Sequence, residues 1–406
     1  MFMNIDYLTY FSERIDDLSQ EGLKRSLKSL SGEPGVTATV NGKTKLLFCS
    51  NDYLGLATNS EVKESLIDGI QKLGAGSGAS HLISGHNDVH SELERKLAST
   101  QKKFFASPKA LFFSNGYMAN LAVITSLTCG KSDNNFTVFS EELNHASLID
   151  GVRLAQIQNK ATVFVYEHLD LDQLEDQLAA EPNTLKLIVT DGVFSMDGDI
   201  APIPSLLNLA EKYHAILIVD DAHGFGVVGK NGLGILDHFQ INNTELASQR
   251  LVYIGTLGKA AGICGAFAVA SPKIIDWIVQ KGRSYIYTTA SPAFIAHALS
   301  KSVDLICDNK LQKVLRDNIF YFKSKYKPKK WTLLNSETAI QPLKVGSNVD
   351  ALRIDKRLYE EGIWVPAIRP PTVPEESSRL RITLSSSHTR QNIDLLINAL
   401  KEIENE

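Results

Sequence analysis

Residues 215–224 read AILIVDDAHG, an apolar run that ends abruptly in two carboxylates and a histidine. The middle of the chain repeats this arrangement, with helix-like segments between the runs. The other runs are ALFF at 110–113, TVFVY at 162–166, KLIVT at 186–190, LVYI at 251–254 and GAFAVA at 265–270. Short continuous apolar runs that alternate with helices are typical of a mostly parallel sheet buried on both faces. The sequence therefore predicts an α/β fold, in which ligands collect at the carboxyl ends of the strands.

The two ends of the chain depart from this pattern. Residues 5–30 are polar with leucines near helical spacing, which predicts an amphipathic helix, and a turn at 31–35 leads into short strands. From about residue 295 the pattern changes to long helices, with strands expected at 339–345 and 379–384. We therefore expect three regions: an N-terminal helix with short strands over 1–48, a large domain over 49–294 and a smaller α+β domain over 295–406.

Size and composition exclude several classes of protein. The 406 residues are 43% hydrophobic and 22% charged, which is ordinary for a soluble globular protein, and the net charge of −4 gives no reason to expect nucleic acid or an acidic membrane as a partner. The four cysteines lie far apart, which argues against a zinc site or a disulfide framework, and we expect no metal. Because the chain shows neither a signal pattern nor an apolar stretch of about 18 residues, we expect a cytoplasmic protein.

The polar residues directly after the apolar runs are the first candidates for chemistry. Asp220 follows AILIV, and a carboxylate there is costly to bury unless a cation or a hydrogen-bond donor meets it. The protonated pyridine nitrogen of pyridoxal 5′-phosphate (PLP) is such a partner, and the ion pair keeps the ring an electron sink. A solvated turn or a metal-binding Asp/His cluster is the alternative interpretation at this position.

Lys259 follows the next run, LVYI, in the segment GTLGK at 255–259. A lysine condenses with the PLP aldehyde only when its amine is neutral, and burial lowers its pKa towards that state. The alternative is an exposed lysine in a turn, which is what most lysines are. The place of Lys259 in the strand that follows that of Asp220 favours a cofactor site.

Other strand ends offer groups for the same cofactor. Gly116 and Tyr117 open a helix after ALFF, where backbone N–H groups bind phosphate, and Thr256 has a hydroxyl to add. His145 is flat enough to stack on the pyridine ring, and Ser195 suits the phenolic oxygen of PLP. Taken singly, each has a plain alternative, such as a strand-to-helix turn or a structural histidine. Together they favour one PLP site.

Longer motifs extend the pattern beyond single residues. They are SNDYLGLA at 50–57, GAGSGASHLISG at 74–85, SNGYMAN at 114–120, NHASLIDG at 144–151, DGVFSMDGDIAP at 191–202, VDDAHGFGVVG at 219–229 and GTLGKAAGICGA at 255–266. Together they resemble the α-oxoamine synthases, a family of fold-type I PLP-dependent enzymes, over nearly the whole chain. The resemblance implies an acyltransferase with a mostly parallel seven-stranded sheet, a smaller C-terminal domain and a homodimer with shared active sites.

The resemblance also implies a role for each matching residue. Lys259 corresponds to the lysine that holds PLP as a Schiff base, Asp220 to the partner of the pyridine nitrogen, and His223 to a donor towards the phenolic oxygen. His145 corresponds to the ring-stacking histidine and Ser195 to the nearby hydroxyl. The implied phosphate contacts are Gly116, Tyr117 and Thr256, with Thr288 and Thr289 close to the phosphate of the neighbouring subunit.

Substrate contacts are implied near both ends of the chain. Asn51 and Arg381 correspond to groups that hold the substrate carboxylate, a role that suits a bidentate guanidinium. Thr372 is implied as a further substrate contact. The segment EGLKR at 21–25 makes Arg25 the matching arginine, or Lys24 if the match shifts by one residue.

Four segments distinguish members of the family. YIYTTASP at 285–292, TAIQPLKVG at 338–346, WVPAIRPPTVP at 364–374 and RLRITLSSSH at 379–388 resemble the members that join L-alanine to a pimeloyl thioester, carried by coenzyme A or an acyl carrier protein, in biotin biosynthesis. Members that use glycine with acetyl-CoA or succinyl-CoA, or serine with palmitoyl-CoA, share the central motifs and remain alternatives.

Two other classes are less favoured. A catalytically dead subunit of this fold would usually lack the lysine or the ring aspartate, and both Lys259 and Asp220 are present. A nucleotide-dependent enzyme is disfavoured because the glycine string at 74–78 does not open directly after a strand. The chain departs from the family pattern where Asp191 replaces a glutamate and where Ala79 and His81 interrupt a glycine-richer loop.

Overall fold

The computed structural model describes residues 6–21, 23–130, 135–241 and 249–406, and the strands in these ranges form three sheets. The strands, in chain order, are β1 (Leu30–Ser31), β2 (Thr37–Val40), β3 (Lys43–Leu47), β4 (Lys109–Phe113), β5 (Phe136–Glu141), β6 (Thr162–Tyr166), β7 (Leu185–Asp191), β8 (Ile216–Asp220), β9 (Leu251–Thr256), β10 (Ala266–Ala270), β11 (Thr332–Leu333), β12 (Ile340–Gly346), β13 (Ile363–Trp364), β14 (Ala367–Ile368) and β15 (Ser378–Thr383).

The largest sheet has seven strands in the order β4-β10-β9-β8-β7-β5-β6. β10 pairs antiparallel with both of its neighbours, whereas the pairs from β9 through β8, β7 and β5 to β6 are parallel. The predicted α/β fold with a mostly parallel seven-stranded sheet is therefore confirmed. Each apolar run of the sequence coincides with one of these strands to within a residue or two.

Helices cover both faces of this sheet and continue into the flanking regions. They are α1 (Tyr7–Gln20), α2 (Ser60–Leu73), α3 (Asp88–Thr100), α4 (Gly116–Leu127), α5 (Ala146–Asn159), α6 (Leu171–Ala180), α7 (Ile203–Lys212), α8 (Ile235–His238), α9 (Pro272–Lys281), α10 (Arg283–Ile286), α11 (Ala293–Cys307), α12 (Lys310–Lys325), α13 (Asn348–Glu360) and α14 (Arg390–Asn405). None of the helices in the described ranges combines the length and the apolar character that a membrane crossing requires.

Alternation of side chains along the central strands divides the core into two halves. In β8, Leu217 and Val219 pack into one half and Ile218 into the other, and all three are fully buried. Residues of α3, α7 and α11 belong to the first half, and residues of α4, α5 and α9 to the second. Because both faces are covered, the strand interiors are apolar, and polar side chains collect where the strands end.

Two smaller sheets lie outside this core. β1, β2 and β3 form an antiparallel sheet that β13 extends by pairing parallel to β3. The other sheet has the order β11-β12-β15-β14, and the strands predicted near residues 340 and 380 are its two central members. The pairing of β3 with β13 attaches the N-terminal strands to the C-terminal part of the chain. The domain boundaries at residues 48 and 294 stay a prediction.

The N-terminal helix is shorter than the sequence predicts. Asp6 caps its start by accepting the N–H groups of Leu8 and Thr9, and the helix ends at Gln20 rather than near residue 30. Gly22 follows in the sequence, and glycine is among the weakest helix formers. None of the residues of α1 is buried, so no packed face compensates for that weak propensity.

Gly262, in the loop after Lys259, packs against the main chain of Leu56 and Ala57, and it provides a test of this packing. Its φ is +73°, and a Cβ there would lie 2.4 Å from the backbone nitrogen of Ala57. We expect Gly262→Ala to destabilise the fold by more than about 2 kcal/mol, because the clash adds to the cost of a left-handed backbone. The urea unfolding midpoint measures this loss.

Gly42→Ala is the matched control. Its φ is +75°, but a Cβ there meets no atom within 4 Å, so only the backbone cost of about 1 kcal/mol applies. Equal losses in the two variants would contradict the packing role of Gly262.

Candidate active site

Buried carboxylates and one lysine meet at the carboxyl ends of three adjacent strands. β7 ends at Asp191 and β8 at Asp220, and the two residues are direct partners in the ladder. β9 ends at Thr256, and Lys259 follows in the next loop. Only 4% of Asp191 and 5% of Asp220 is exposed. The fold therefore brings the predicted ring aspartate and the predicted lysine to the same edge of the sheet.

A chain of hydrogen bonds leads away from the Lys259 amine. Its Nζ lies 2.8 Å from His223 Nε2, and His223 Nδ1 lies 2.7 Å from the hydroxyl of Tyr53. That hydroxyl donates to Asn51 Oδ1 at 3.0 Å, so Nδ1 of His223 supplies the proton between the ring and Tyr53. Nε2 is then the acceptor that faces the lysine. Tyr53 is fully buried and was not among the residues the sequence analysis selected.

Burial dominates the electrostatics around the lysine. It lowers the pKa of Lys259 to about 8, although the carboxylates of Asp220 and Asp191 act in the opposite direction. Burial, together with the charge of Lys259, also holds the pKa of His223 well below its usual range. The imidazole of His223 is therefore neutral at physiological pH, and a substantial fraction of the Lys259 amine is neutral near pH 8.

Asp220 is held from two sides. Its Oδ1 accepts the backbone N–H of Ala222 at 3.0 Å, and its Oδ2 accepts the Asn120 amide at 2.6 Å. Asn120 lies on α4 and is fully buried. Asn120 gives no periodic signal in the sequence because α4 is apolar around most of its circumference, although Asn120 closes the motif SNGYMAN.

His145 is the N-cap residue of α5 and reaches the same cluster. Its backbone N–H donates to Asp191 Oδ2 at 2.6 Å, and its ring Nδ1 lies 2.7 Å from the Ser147 hydroxyl. Burial lowers the pKa of His145, and burial together with the Asp220 charge raises the pKa of Asp191 well above its usual range. Asp191 thus anchors the main chain that carries His145.

Arg381 approaches the site from β15. Its Nε donates to the carbonyl of Ser195 at 2.5 Å, and its guanidinium also donates to Asn51 Oδ1 at 3.3 Å. Arg379, two residues earlier on the same face of β15, pairs with Asp197. The two predicted substrate-carboxylate residues, Asn51 and Arg381, are therefore in contact, and both lie next to the Lys259–His223–Tyr53 chain.

The predicted phosphate residues occupy two different surroundings. Gly116 and Tyr117 begin α4 behind the N-cap Asn115, and a Cβ on Gly116 would meet no atom within 4 Å. Thr256 is buried, and its hydroxyl donates to the carbonyl of Gly265 at 3.1 Å. Thr288 is half-buried, whereas Thr289 is exposed and bridges to Ser80 of the same chain, so their contact with a neighbouring subunit stays a prediction.

The remaining predicted substrate residues line a separate cavity of about 770 Å³. Arg25 and Lys24 form part of its wall on one side, and Thr372 lies on the segment 364–372 that forms much of the rest. The cavity adjoins the lysine site through Pro366, whose carbonyl accepts the backbone N–H of Arg381 at 3.1 Å. Both Arg25 and Lys24 reach the cavity, so its geometry is compatible with either as the substrate contact.

His168 holds the loop that carries Ser195, and no local pattern in the sequence indicates this role. Its Nδ1 lies 2.6 Å from a Glu141 carboxylate oxygen and its Nε2 2.7 Å from an Asp199 carboxylate oxygen. The ring packs edge-on against Phe194, with centroids 4.6 Å apart. Burial lowers the pKa of His168, but the hydrogen bonds to Asp199 and Glu141 outweigh it and raise that pKa to about 10. His168 is therefore a cation between two carboxylates.

Three histidines form a further cluster beside the glycine-rich loop. The ring nitrogens of His81, His86 and His90 lie within 4.8 Å of one another, a spacing compatible with a metal ion. Both nitrogens of His90 are already engaged, because Nδ1 accepts the Asn87 N–H at 2.9 Å and Nε2 lies 2.8 Å from the Ser291 carbonyl. His90 thus caps α3 and ties it to the segment after α10. The expectation that the protein has no metal stays a prediction.

Comparison with known proteins places the chain in a family. Residues 43–400 match the family model described as aminotransferase class I and II. The chain belongs to this family of enzymes. Within it, the chain belongs with the 8-amino-7-oxononanoate synthases.

Curated relatives support the assignment to the 8-amino-7-oxononanoate synthases. The 8-amino-7-oxononanoate synthase of Janthinobacterium sp. (strain Marseille) is 47% identical, with 97% of each chain covered. That of Dechloromonas aromatica (strain RCB) is 49% identical, with 97% of this chain and 99% of the relative covered.

Solved structures agree on the fold. A crystal structure of 8-amino-7-oxononanoate synthase from Francisella tularensis is 31% identical with a TM-score of 0.71, covering 89% of this chain and 97% of that one. A serine palmitoyltransferase from S. paucimobilis with bound PLP–myriocin aldimine has a TM-score of 0.85 at 25% identity, with 99% of each chain covered.

The raised pKa of His168 predicts a pH-dependent contribution to stability. Because the pKa rises from an ordinary 6.5 to about 10 on folding, the contribution is fully present below about pH 6.5 and is lost as the pH rises through about 10. We expect His168→Gln to lower the free energy of unfolding by about 3 kcal/mol at pH 6, since two carboxylates lose their cation. Urea unfolding of both proteins between pH 6 and pH 10 measures the difference.

The difference between His168→Gln and the unaltered protein should shrink steadily across that range. Other groups titrate in the same interval, so the comparison is made between the two proteins at each pH. A difference that stays constant from pH 6 to pH 10 would show that the charge of His168 does not contribute.

Proposed function

We propose that the protein joins L-alanine to a pimeloyl thioester, releases carbon dioxide and the thiol carrier, and forms 8-amino-7-oxononanoate for biotin biosynthesis. Relatives that carry the name of this product, at 47–49% identity over nearly the whole chain, support the proposal. The structural observation that carries it is the position of the Lys259 amine, which follows a buried strand and lies close to Asp220 and Arg381. Burial lowers the pKa of this amine to about 8.

The residues at the strand ends fit PLP. An amine with a lowered pKa suits the aldehyde, and the Asp220 carboxylate suits the protonated pyridine nitrogen. The open space at Gly116, where α4 begins, suits the phosphate. PLP is the cofactor of this enzyme, and when bound it withdraws electrons from the Cα atom of the amino-acid substrate.

The chain's own residues then supply binding and proton transfer. Lys259 is the proposed base that takes the Cα proton of alanine, and general-base catalysis of this kind contributes about 10²–10⁴-fold. His223 Nε2, 2.8 Å from the amine, accepts one of its hydrogens and so orients its lone pair. Arg381 and Asn51 hold the alanine carboxylate, which leaves as carbon dioxide once the new carbon–carbon bond has formed.

The remaining cofactor contacts follow the family roles. We assign ring stacking to His145 and the phenolic oxygen to Ser195 and His223. The donor role of His223 requires its ring proton on Nε2, with the Tyr53 hydroxyl donating to Nδ1 instead. The phosphate contacts are Gly116, Tyr117 and Thr256, with Thr288 and Thr289 acting across a homodimer whose active sites are shared. A cytoplasmic location and an acyl carrier that is either coenzyme A or acyl carrier protein complete the proposal.

The cavity beside the site is proposed to hold the acyl chain. Pimelate ends in a carboxylate, and the cavity is lined by four basic residues, by one acidic residue, Asp355, and by apolar groups. The basic residues are Arg25, Lys24, Lys28 and Arg369. A guanidinium binds a carboxylate through two parallel hydrogen bonds, which favours Arg25 for the distal carboxylate. Thr372 adds a hydroxyl to the lining of the cavity.

Lys259→Ala tests the base together with the substrate class. The unaltered protein loaded with PLP should release thiol from pimeloyl-CoA with L-alanine and not with glycine or L-serine. Lys259→Ala should lose the visible absorption of lysine-bound PLP and about 10³-fold of turnover, because both the covalent link and the base are gone. Spectroscopy and a thiol-release assay measure the two effects.

Lys212→Ala is the control, because Lys212 lies on α7 and is paired with Glu175 at the surface. It should keep both the absorption and the turnover. A Lys259→Ala variant that kept both would refute the role of Lys259. Turnover with serine and palmitoyl-CoA instead of alanine and pimeloyl-CoA would keep the family and replace the proposed reaction.

Arg25→Gln tests the acyl subsite. Loss of a charge-assisted hydrogen bond is worth about 1.5–3 kcal/mol, so the KM for pimeloyl-CoA should rise roughly 10- to 100-fold. The KM for alanine should stay unchanged, since Arg381 and Asn51 hold that substrate. Lys24→Gln, with the same loss of charge one residue earlier, should change both constants little. If the KM for pimeloyl-CoA rose only in Lys24→Gln, the contact would be assigned to Lys24. If it rose in neither variant, the proposed acyl subsite would be refuted.

A further inference from the structure

Two buried side chains, Asn120 and Ser147, connect Asp220 to His145, and neither of them is a predicted site residue. Asn120 Nδ2 donates to Asp220 Oδ2 at 2.6 Å and to the Ser147 hydroxyl at 2.8 Å. The Ser147 hydroxyl in turn lies 2.7 Å from His145 Nδ1. Asn120 lies on α4 and Ser147 on α5, and at most 1% of either residue is exposed. The two helices therefore carry a continuous polar link through an otherwise apolar layer.

The orientation of the Asn120 amide follows from its partners. A carboxylate only accepts hydrogen bonds, so the nitrogen of the amide and not its oxygen must face Asp220. In this orientation both amide hydrogens are used, and the buried Oδ1 of Asn120 has no hydrogen-bond partner. Leaving a buried carbonyl oxygen unpaired is unfavourable. The hydrogen bond to Asp220 therefore fixes the orientation of the Asn120 amide, although this orientation leaves Oδ1 unpaired.

The proton positions along the link follow step by step. Ser147 Oγ accepts a hydrogen from Asn120, so its own single proton is free to point to His145 Nδ1. The backbone N–H of Ser147 donates to the same nitrogen at 3.2 Å. Nδ1 is therefore an acceptor and carries no proton. Because Nδ1 carries no proton, the imidazole of His145 is neutral and its single ring proton lies on Nε2.

We propose that Asn120 and Ser147 are positioning residues that orient the Asp220 carboxylate and hold His145 as the tautomer protonated at Nε2. The consequence for catalysis rests on the proposed function. His145 then stacks on the cofactor with an N–H donor at Nε2, the nitrogen not used by Ser147. One carboxylate oxygen of Asp220 accepts a hydrogen bond from Asn120, and the other accepts one from the Ala222 N–H. These two hydrogen bonds restrict rotation of the carboxylate, so that it faces the pyridine nitrogen in a fixed orientation.

The first test reads the tautomer directly. The holoenzyme is labelled with ¹⁵N-histidine, and the His145 signals are assigned by their loss in His145→Gln. The ¹⁵N shifts distinguish a protonated from an unprotonated ring nitrogen, so we expect a proton on Nε2 and none on Nδ1. A proton on Nδ1 of His145 in the unaltered protein would overturn the proposal. This measurement needs no substrate, so it stands whether or not the proposed reaction is correct.

Variants then test whether Ser147 sets that tautomer. Ser147→Ala removes the hydroxyl proton and should shift His145 towards a mixture of tautomers, whereas Ser147→Thr keeps a hydroxyl and should retain protonation at Nε2. Ser126→Ala is the matched control, because Ser126 is a fully buried serine of α4 whose hydroxyl donates to Val123. An unchanged His145 spectrum in Ser147→Ala would contradict the role of Ser147.

Kinetics test Asn120. Asn120→Ala should lower kcat roughly 10- to 100-fold with little change in the KM for alanine, because it removes a hydrogen bond to a charged group that does not contact that substrate. Circular dichroism and the urea midpoint confirm that the variant folds. A folded Asn120→Ala with unchanged kcat, or with an increase in KM alone, would overturn its positioning role. Failure of the unaltered protein to use alanine would instead refute the proposed function.

Discussion

Burial of charge at the ends of β7 and β8 is the constraint on which the rest of the structure depends. Asp191, Asp220 and Asp221 are all nearly or fully buried, and each accepts hydrogen bonds from the main chain or from side chains. Burial nevertheless raises the pKa of Asp221 to about 8. Lys259 is the cation set among these groups, and burial still lowers the pKa of its amine to about 8. Desolvation therefore outweighs the attraction of the carboxylates, which is what a reactive amine requires.

The loop over 192–199 links this cluster to the C-terminal sheet. β15 places Arg379 and Arg381 on one face, so that one meets Asp197 and the other the carbonyl of Ser195. On its other side the same loop is held by His168, a cation between Glu141 and Asp199. A mobile loop would leave the guanidinium of Arg381 without a fixed position. The ion pairs therefore fix the geometry of the loop in addition to contributing to stability.

Chemistry and substrate choice are located in different parts of the molecule. The strand ends carry the lysine, the aspartates and the histidines, and the fold that presents them is shared with a serine palmitoyltransferase at 25% identity. The cavity beside them is built from residues 18–28 and 364–372, outside the central sheet. The alignment that gives 47% identity to an 8-amino-7-oxononanoate synthase covers 97% of this chain. This separation explains why the fold alone does not specify the acyl chain.

The sequence by itself determined the central sheet and the residues at its strand ends. Asp220 and Lys259 were predicted because a polar residue directly after a buried apolar run is a local pattern. The tertiary structure alone decided which distant groups complete the site: Tyr53 on His223, Arg381 on Asn51, and His168 between two carboxylates. Asn120 was missed for the same reason, since a single polar residue in an apolar helix has no periodicity. Contacts between residues far apart in the chain depend on packing, and a local pattern does not encode them.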